Sequence, residues 1–170
     1  MSVIDLVLLG LVYEQPQSAY DMQKNIELTG LSRWVKISMP SVYKKVLLLE
    51  QQGHLSSCAV RQGKMPEKIV YSITDSGKSY FLELMQVTAR SSVNVLLEFN
   101  AVASNLGKLP QQQALALIGD ISGSILSSES EMQESLLECR QEIISNIIEQ
   151  QIQVLHTLYK WTDSFAKVFR

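Results

Sequence analysis

The stretch from Ser38 to Gly53, S-M-P-S-V-Y-K-K-V-L-L-L-E-Q-Q-G, constrains this chain most, together with the change of texture that follows it. Both ends are marked as helix ends. Ser38 or Met39 falls where an N-cap belongs, and Pro40 suits the first turn, where its missing N–H costs nothing. Gly53 is the residue type that closes a helix in the left-handed conformation. Between them Val42, Val46 and Leu49 recur with helical spacing, so one face is inward. Ser41, Lys44 and Lys45 fall largely on the other side, with Tyr43 at its edge. Hydroxyls, a phenol and two ammonium groups near one end suit a polyanion. Half of that pattern fits any amphipathic helix, so the next segment matters.

After Gly53 the pattern becomes extended. H-L-S-S-C-A-V-R (54–61) and E-K-I-V-Y-S-I-T (67–74) read as strands, the second alternating Ile69, Tyr71 and Ile73 inward against Lys68, Val70 and Ser72. Gln62-Gly63-Lys64-Met65-Pro66 punctuates them as a turn. Helix, strand, basic turn, strand is the order of a winged helix-turn-helix. Residues 33–68 hold seven Lys and Arg against Glu50 and Glu67, a local net charge of +5, on a chain whose net charge is −2. A basic island on an acidic chain is the footprint of a nucleic-acid surface.

Length and composition allow a buried core: 170 residues, 46% hydrophobic and 19% charged. The apolar run Val3–Val12 is too short to span a bilayer and is broken by Asp5. It has neither the basic flank nor the cleavage site of a signal peptide, so no membrane partner and a cytoplasmic location are expected. Cys58 and Cys139 lie in different parts of the chain and read as small reduced residues. No catalytic or metal-binding constellation stands out, and no cofactor is expected. His54 and His156 lack cysteine or carboxylate neighbours at ligand spacing, and there is no phosphate loop or nucleophile elbow.

Taken in order, residues 2–14 predict a helix apolar nearly all round, which implies a partner beyond its own small domain. Ser18 caps a second helix reaching about Thr29–Gly30, with Ala19, Met22 and Ile26 inward. Tyr20 at its start is read as a phosphate contact or, equally, as a packing residue. A connector holds Arg33, Trp34 and Lys36. Thr74 caps a closing helix with Tyr80, Phe81 and Leu84 apolar, so a winged DNA-binding domain is expected over 1–88. The remainder, 89–170, has no strand signal. Val95, Leu96, Phe99 and Val102 predict a helix from Ser91 to Gly107. Leu109-Pro110 restarts one with Leu115, Leu117, Ile118, Ile121 and Ile125 apolar. Gly119 and Gly123 on it either admit a close helix or are merely tolerated. Five glutamates in 129–142 predict a solvated face. The last helix, about Glu142 to Phe169, carries two adjoining apolar stripes over about 40 Å, wider than one neighbour needs. That predicts a dimerisation arm, and hence a mainly α protein: an N-terminal winged helix-turn-helix plus a C-terminal all-helical dimerisation domain.

Several of these segments resemble the PadR-type transcriptional regulators, across essentially the whole chain. "VLLGLVYEQPQSAYDMQKNI" resembles the family's leucine-rich first helix, turn and second helix. "ISMPSVYKKVLLLEQQGHL" resembles its recognition helix, and "EKIVYSITDSGKSYF" its wing strand followed by Thr-x-x-Gly-Lys. The helical second half is similar to the dimerising domain of the longer subfamily. Ala19 stands where the family usually has Gly, Lys44 where a Pro often follows the Tyr, and Leu48 where a basic residue commonly stands. The resemblance implies a sequence-specific regulator, a repressor binding an inverted-repeat operator in double-stranded DNA as a homodimer. The DNA-contact residues expected are Tyr20, Ser38, Ser41, Tyr43, Lys44, Lys45, Arg61, Lys64 and Lys68. It also implies release by a small aromatic or apolar effector, for which Trp34, Tyr159 and Trp161 would supply aromatic walls or else simply pack. The alternative is a winged-helix protein–protein adaptor without DNA binding, against which the basic island argues.

Overall fold

A computed structural model of the protein describes residues 2–28, 37–61 and 67–169. The chain divides into two compact units, Met1–Val93 and Asn94–Arg170. The first contains α1 (Val3–Glu14), α2 (Ala19–Leu28), α3 (Met39–Gln51), β1 (Leu55–Val60), β2 (Lys68–Ile73) and α4 (Asp75–Ala89).

Local chemistry explains most of these boundaries. Ser18 Oγ accepts the Asp21 N–H (3.2 Å) and donates to Asp21 Oδ2 (2.6 Å), while the Ser18 N–H also donates to that carboxylate (3.2 Å). This reciprocal box satisfies amides that the first turn of α2 leaves open. At the other end of α3, Gly53 adopts φ 77°. Its N–H donates to the Glu50 carbonyl and that of His54 to the Leu49 carbonyl, each at 2.9 Å, the bonding of a Schellman closure. Ser38 precedes α3 without a side-chain cap bond. Its Oγ instead lies 2.6 Å from Ser41 Oγ.

The two strands pair antiparallel from Leu55↔Ile73 to Val60↔Lys68. Buried Gln17 adds a bridge to Tyr71, with backbone bonds of 2.8 and 3.0 Å in both directions. The Gln17 side chain donates to the Leu11 carbonyl (2.8 Å) and accepts from Asn25 (2.7 Å), which ties the strand base to the α1–α2 junction. The core collects Leu8, Leu9 and Val12 of α1, Met22 and Ile26 of α2, and Val42, Val46 and Leu49 of α3. Leu55, Tyr71 and Leu84 close it. The expected inward role of Ile69 is not met: it is exposed, because only the base of the ribbon, Leu55 and Tyr71, lies over the helices. On α1, Leu6, Val7 and Leu11 line a shallow groove with Tyr13, Phe81 and Met85, so part of its apolar surface stays uncovered.

The second unit contains α5 (Asn100–Ala103), a single 3₁₀ turn (Leu106–Lys108), α6 (Gln111–Glu138), α7 (Glu142–Ala166) and a closing 3₁₀ turn (Lys167–Phe169). The start of α6 (Ala114, Ile118) packs on Phe165, Ala166 and Phe169 at the end of the chain, so α6 and α7 run antiparallel. Along α7 an aromatic ladder stacks Trp161 on Phe165 (ring centroids 4.7 Å apart), with Phe99 on its far side (5.7 Å) and Phe169 edge-on to Phe165 (5.6 Å).

Two expectations for this half change, and one left open is narrowed. The helix anticipated from Ser91 to Gly107 is reduced to Asn100–Ala103, and Val93 and Leu96 are each 90% exposed. Serine, asparagine and valine are weak helix formers, and here no apolar face is covered to offset that. The acidic run is helical as far as Glu138, and Glu129 in it is not a solvated residue. Its side chain is only 13% exposed, with Oε1 3.5 Å from His156 Nδ1. Gly119 and Gly123 have nothing within 4 Å of a β-carbon position, so within the described residues they serve no close helix contact.

Candidate nucleic-acid interface

The buried stripe of α3 decides what the helix presents. With Val42, Val46 and Leu49 inward, Tyr43 and Lys44 project outward and are exposed, as is Ser38; Ser41 is half-buried. On α2 the inward positions Ala19, Met22 and Ile26 leave Tyr20 at 64% exposure, at the N-terminal end where free amides favour anions. Its packing alternative therefore falls away. Lys24, four residues on, shares that outward face and is exposed. It was not singled out from sequence, although its spacing from Tyr20 carried the signal. Arg61, directly after β1, is exposed. Lys64 and Trp34 lie outside the described residues.

Two of the expected contacts are already engaged. Lys45 Nζ lies 3.0 Å from Asp5 Oδ1 and donates to Oδ2 at 3.3 Å. Lys68 Nζ lies 3.2 Å from Asp21 Oδ2. The Asp21 carboxyl is held below its ordinary range, foremost by the Ser18 hydroxyl and further by Lys68, against some desolvation. Above the Asp5–Lys45 pair, burial and then the Asp5 charge push the Tyr80 phenol up, while Lys45 opposes this. Among the described residues Lys24, Lys44 and Arg61 form no ion pair, so their charge is open to a polyanion.

The two described ligand candidates are not brought together. Trp161 belongs to the aromatic ladder. Tyr159, two residues away and so on the far side of α7, lines a cleft with Leu126, Glu129, Gln133 and His156. A larger apolar groove of about 400 Å³ lies elsewhere in the unit, lined by Leu117, Ile121, Ile125, Leu155 and Leu158, with Asp120 at its edge.

A helix that buries one stripe, offers Tyr43 and Lys44 on the other and is flanked by a two-stranded wing defines a winged helix-turn-helix of the transcription-factor class. Residues 8–83 match the transcriptional regulator PadR-like family, and the chain carries a PadR-like regulator domain. Its fold is similar to the crystal structure of Bacillus subtilis PadR in complex with operator DNA. The TM-score is 0.83 at 22% identity, over 100% of this chain and 99% of that one. It is similar also to Bacillus subtilis PadR in complex with p-coumaric acid (TM-score 0.79, 20% identity, 99% of each chain). The Vibrio cholerae virulence activator AphA shares it too (TM-score 0.76, 17% identity, 96% of each chain). At these identities the likeness is one of fold. No curated protein matches the chain in sequence. No helix among the described residues is long and apolar enough to cross a membrane.

Proposed function

We propose that this PadR-like regulator is a cytoplasmic repressor that binds an inverted-repeat operator in double-stranded DNA as a homodimer and is released by a small aromatic or apolar effector. The observation that carries the reading is the outward face of α3, where Tyr43 and Lys44 are exposed, together with the exposed Arg61 that follows β1. Lys44 and Arg61 meet phosphate or guanine edges, Ser38, Ser41 and Tyr43 set register, and Tyr20 anchors a phosphate. Lys64, by its place in the sequence, and Lys68, which would have to leave Asp21 to do so, are further candidates for backbone contacts. In this reading residues 1–88 bind DNA and 89–170 dimerise. The second unit leaves apolar surface of α6 and α7 uncovered: Leu126, Leu137, Ile143 and Val154 are exposed. That supports a second copy packing there. The apolar groove lined by Leu117, Ile121 and Leu158 supports a small apolar effector; Tyr159 and Trp161 lie outside its lining, and Trp34 is an effector candidate on its residue type alone. Repression follows if the operator overlaps the promoter.

Footprinting on the DNA flanking its own gene tests this. The expected result is two half-sites in inverted repeat, their centres a whole number of helical turns apart, with affinity that falls steeply with salt. A single asymmetric site, or binding indifferent to salt, would refute it.

A further inference from the structure

Asp5 is the only buried carboxylate among the described residues. It stands in the first turn of α1 on the same inward stripe as Leu8, Leu9 and Val12. A charge in that position is costly unless paired. The partner comes from forty residues away: Lys45 of α3, whose side chain is 26% exposed against 9% for Asp5. Lys44 and Lys45 are neighbours in sequence, but a helix turns them about 100° apart. One is exposed and the other folds back onto α1.

The buried stripe sets which face of α3 turns inward, but hydrophobic contact is non-directional and fixes the finer roll of α3 about its axis less closely than a polar contact does. A charge-assisted hydrogen bond is directional. We propose that Asp5 and Lys45 are positioning residues for DNA reading. Their pair fixes the roll of α3 and withholds the Lys45 charge from phosphate, so that Lys44 is the cation through which α3 meets DNA. This rests on the DNA-binding reading above, and it replaces the expectation that Lys45 is itself a DNA contact.

The test uses full-length protein and two duplexes, the fragment that it footprints and a scrambled control, titrated over a salt series. Lys44→Met should weaken both and reduce the slope of log affinity against log salt by about one unit. Lys45→Met alone leaves Asp5 buried and unpaired and is prone to misfold, so the informative variant is Asp5→Asn/Lys45→Met. It should keep the wild-type salt slope while the operator-to-scrambled ratio falls about tenfold, as for one misplaced base contact. Asp5→Asn alone frees the ammonium and should raise the slope by about one unit. Lys45→Arg, which preserves the pair, should retain the operator preference. If the double variant loses slope as Lys44→Met does, or keeps the full operator preference, the positioning role is wrong and Lys45 is an ordinary contact or a bystander. Wild-type protein that binds neither duplex with salt dependence would instead remove the DNA-binding reading, and this inference with it.

Discussion

The α-carbon of Gly77 faces the carbonyl oxygen of His54 so closely that no β-carbon fits between them. The approach is held from the other side by Thr74. Its hydroxyl accepts the Gly77 N–H at 3.0 Å and donates to the Gly53 carbonyl at 2.7 Å, with the His54 carbonyl 3.1 Å away. The end of α3, the base of the wing and the start of α4 thus meet within one turn, which fixes the wing relative to the helix that it flanks.

Gly77→Ala should therefore be the costliest glycine replacement in the winged unit. Its β-carbon would meet backbone, which cannot move aside as a side chain can, and the loss should reach about 1–3 kcal/mol or more. Gly53→Ala, strained by its left-handed φ but otherwise unobstructed, should lose about 1–2 kcal/mol. Gly107→Ala, with open space around it, should be near neutral. Urea unfolding of the three variants gives the ranking, and equal losses would contradict this packing.

The Ser18–Asp21 box predicts a pH dependence. The folded-state pKa of Asp21 is depressed, so its contribution is present above the ordinary carboxylate pKa of about 3.9 and is lost as pH falls through the folded value. Ser18→Ala should raise the Asp21 pKa toward the ordinary range and flatten the acid limb of stability. A carboxyl-resolved NMR titration of both proteins would show it. An unmoved Asp21 titration would assign the depression to Lys68 instead.

Arg61 sits on the wing and should act through the DNA backbone. Arg61→Gln should weaken operator and scrambled duplexes by similar factors and lower the salt slope by about one unit. A selective loss on the operator would mean that the wing reads bases.

The uncovered apolar surface of α6 and α7 predicts a dimer. Sizing with light scattering at micromolar concentration should return twice the chain mass, and a chain ending near residue 108 should be monomeric or insoluble and bind DNA weakly. A full-length monomer would defeat the twofold operator geometry.

Much of the winged unit was legible in sequence because its signals act within a turn. Ser18, Thr74 and Gly53 satisfy or permit their own neighbouring amides, and Val42, Val46 and Leu49 report one helix face by spacing alone. Signals that needed covering by something else misled. Ile69 alternates correctly for a strand, yet the ribbon extends past the helices that would have buried it. Val95 and Leu96 have helical spacing without a surface to pack on.

The sequence by itself determined the order of elements, the inward stripe of α3 and the basic character around it, since these follow from backbone sterics, capping and the period of apolar residues. The tertiary structure alone decided which of two adjacent lysines faces outward, and it paired Glu129 with His156 and Gly77 with His54. Those outcomes depend on groups brought together from positions 23 to 40 residues apart, where no local preference reaches and only the packed core sets the distance.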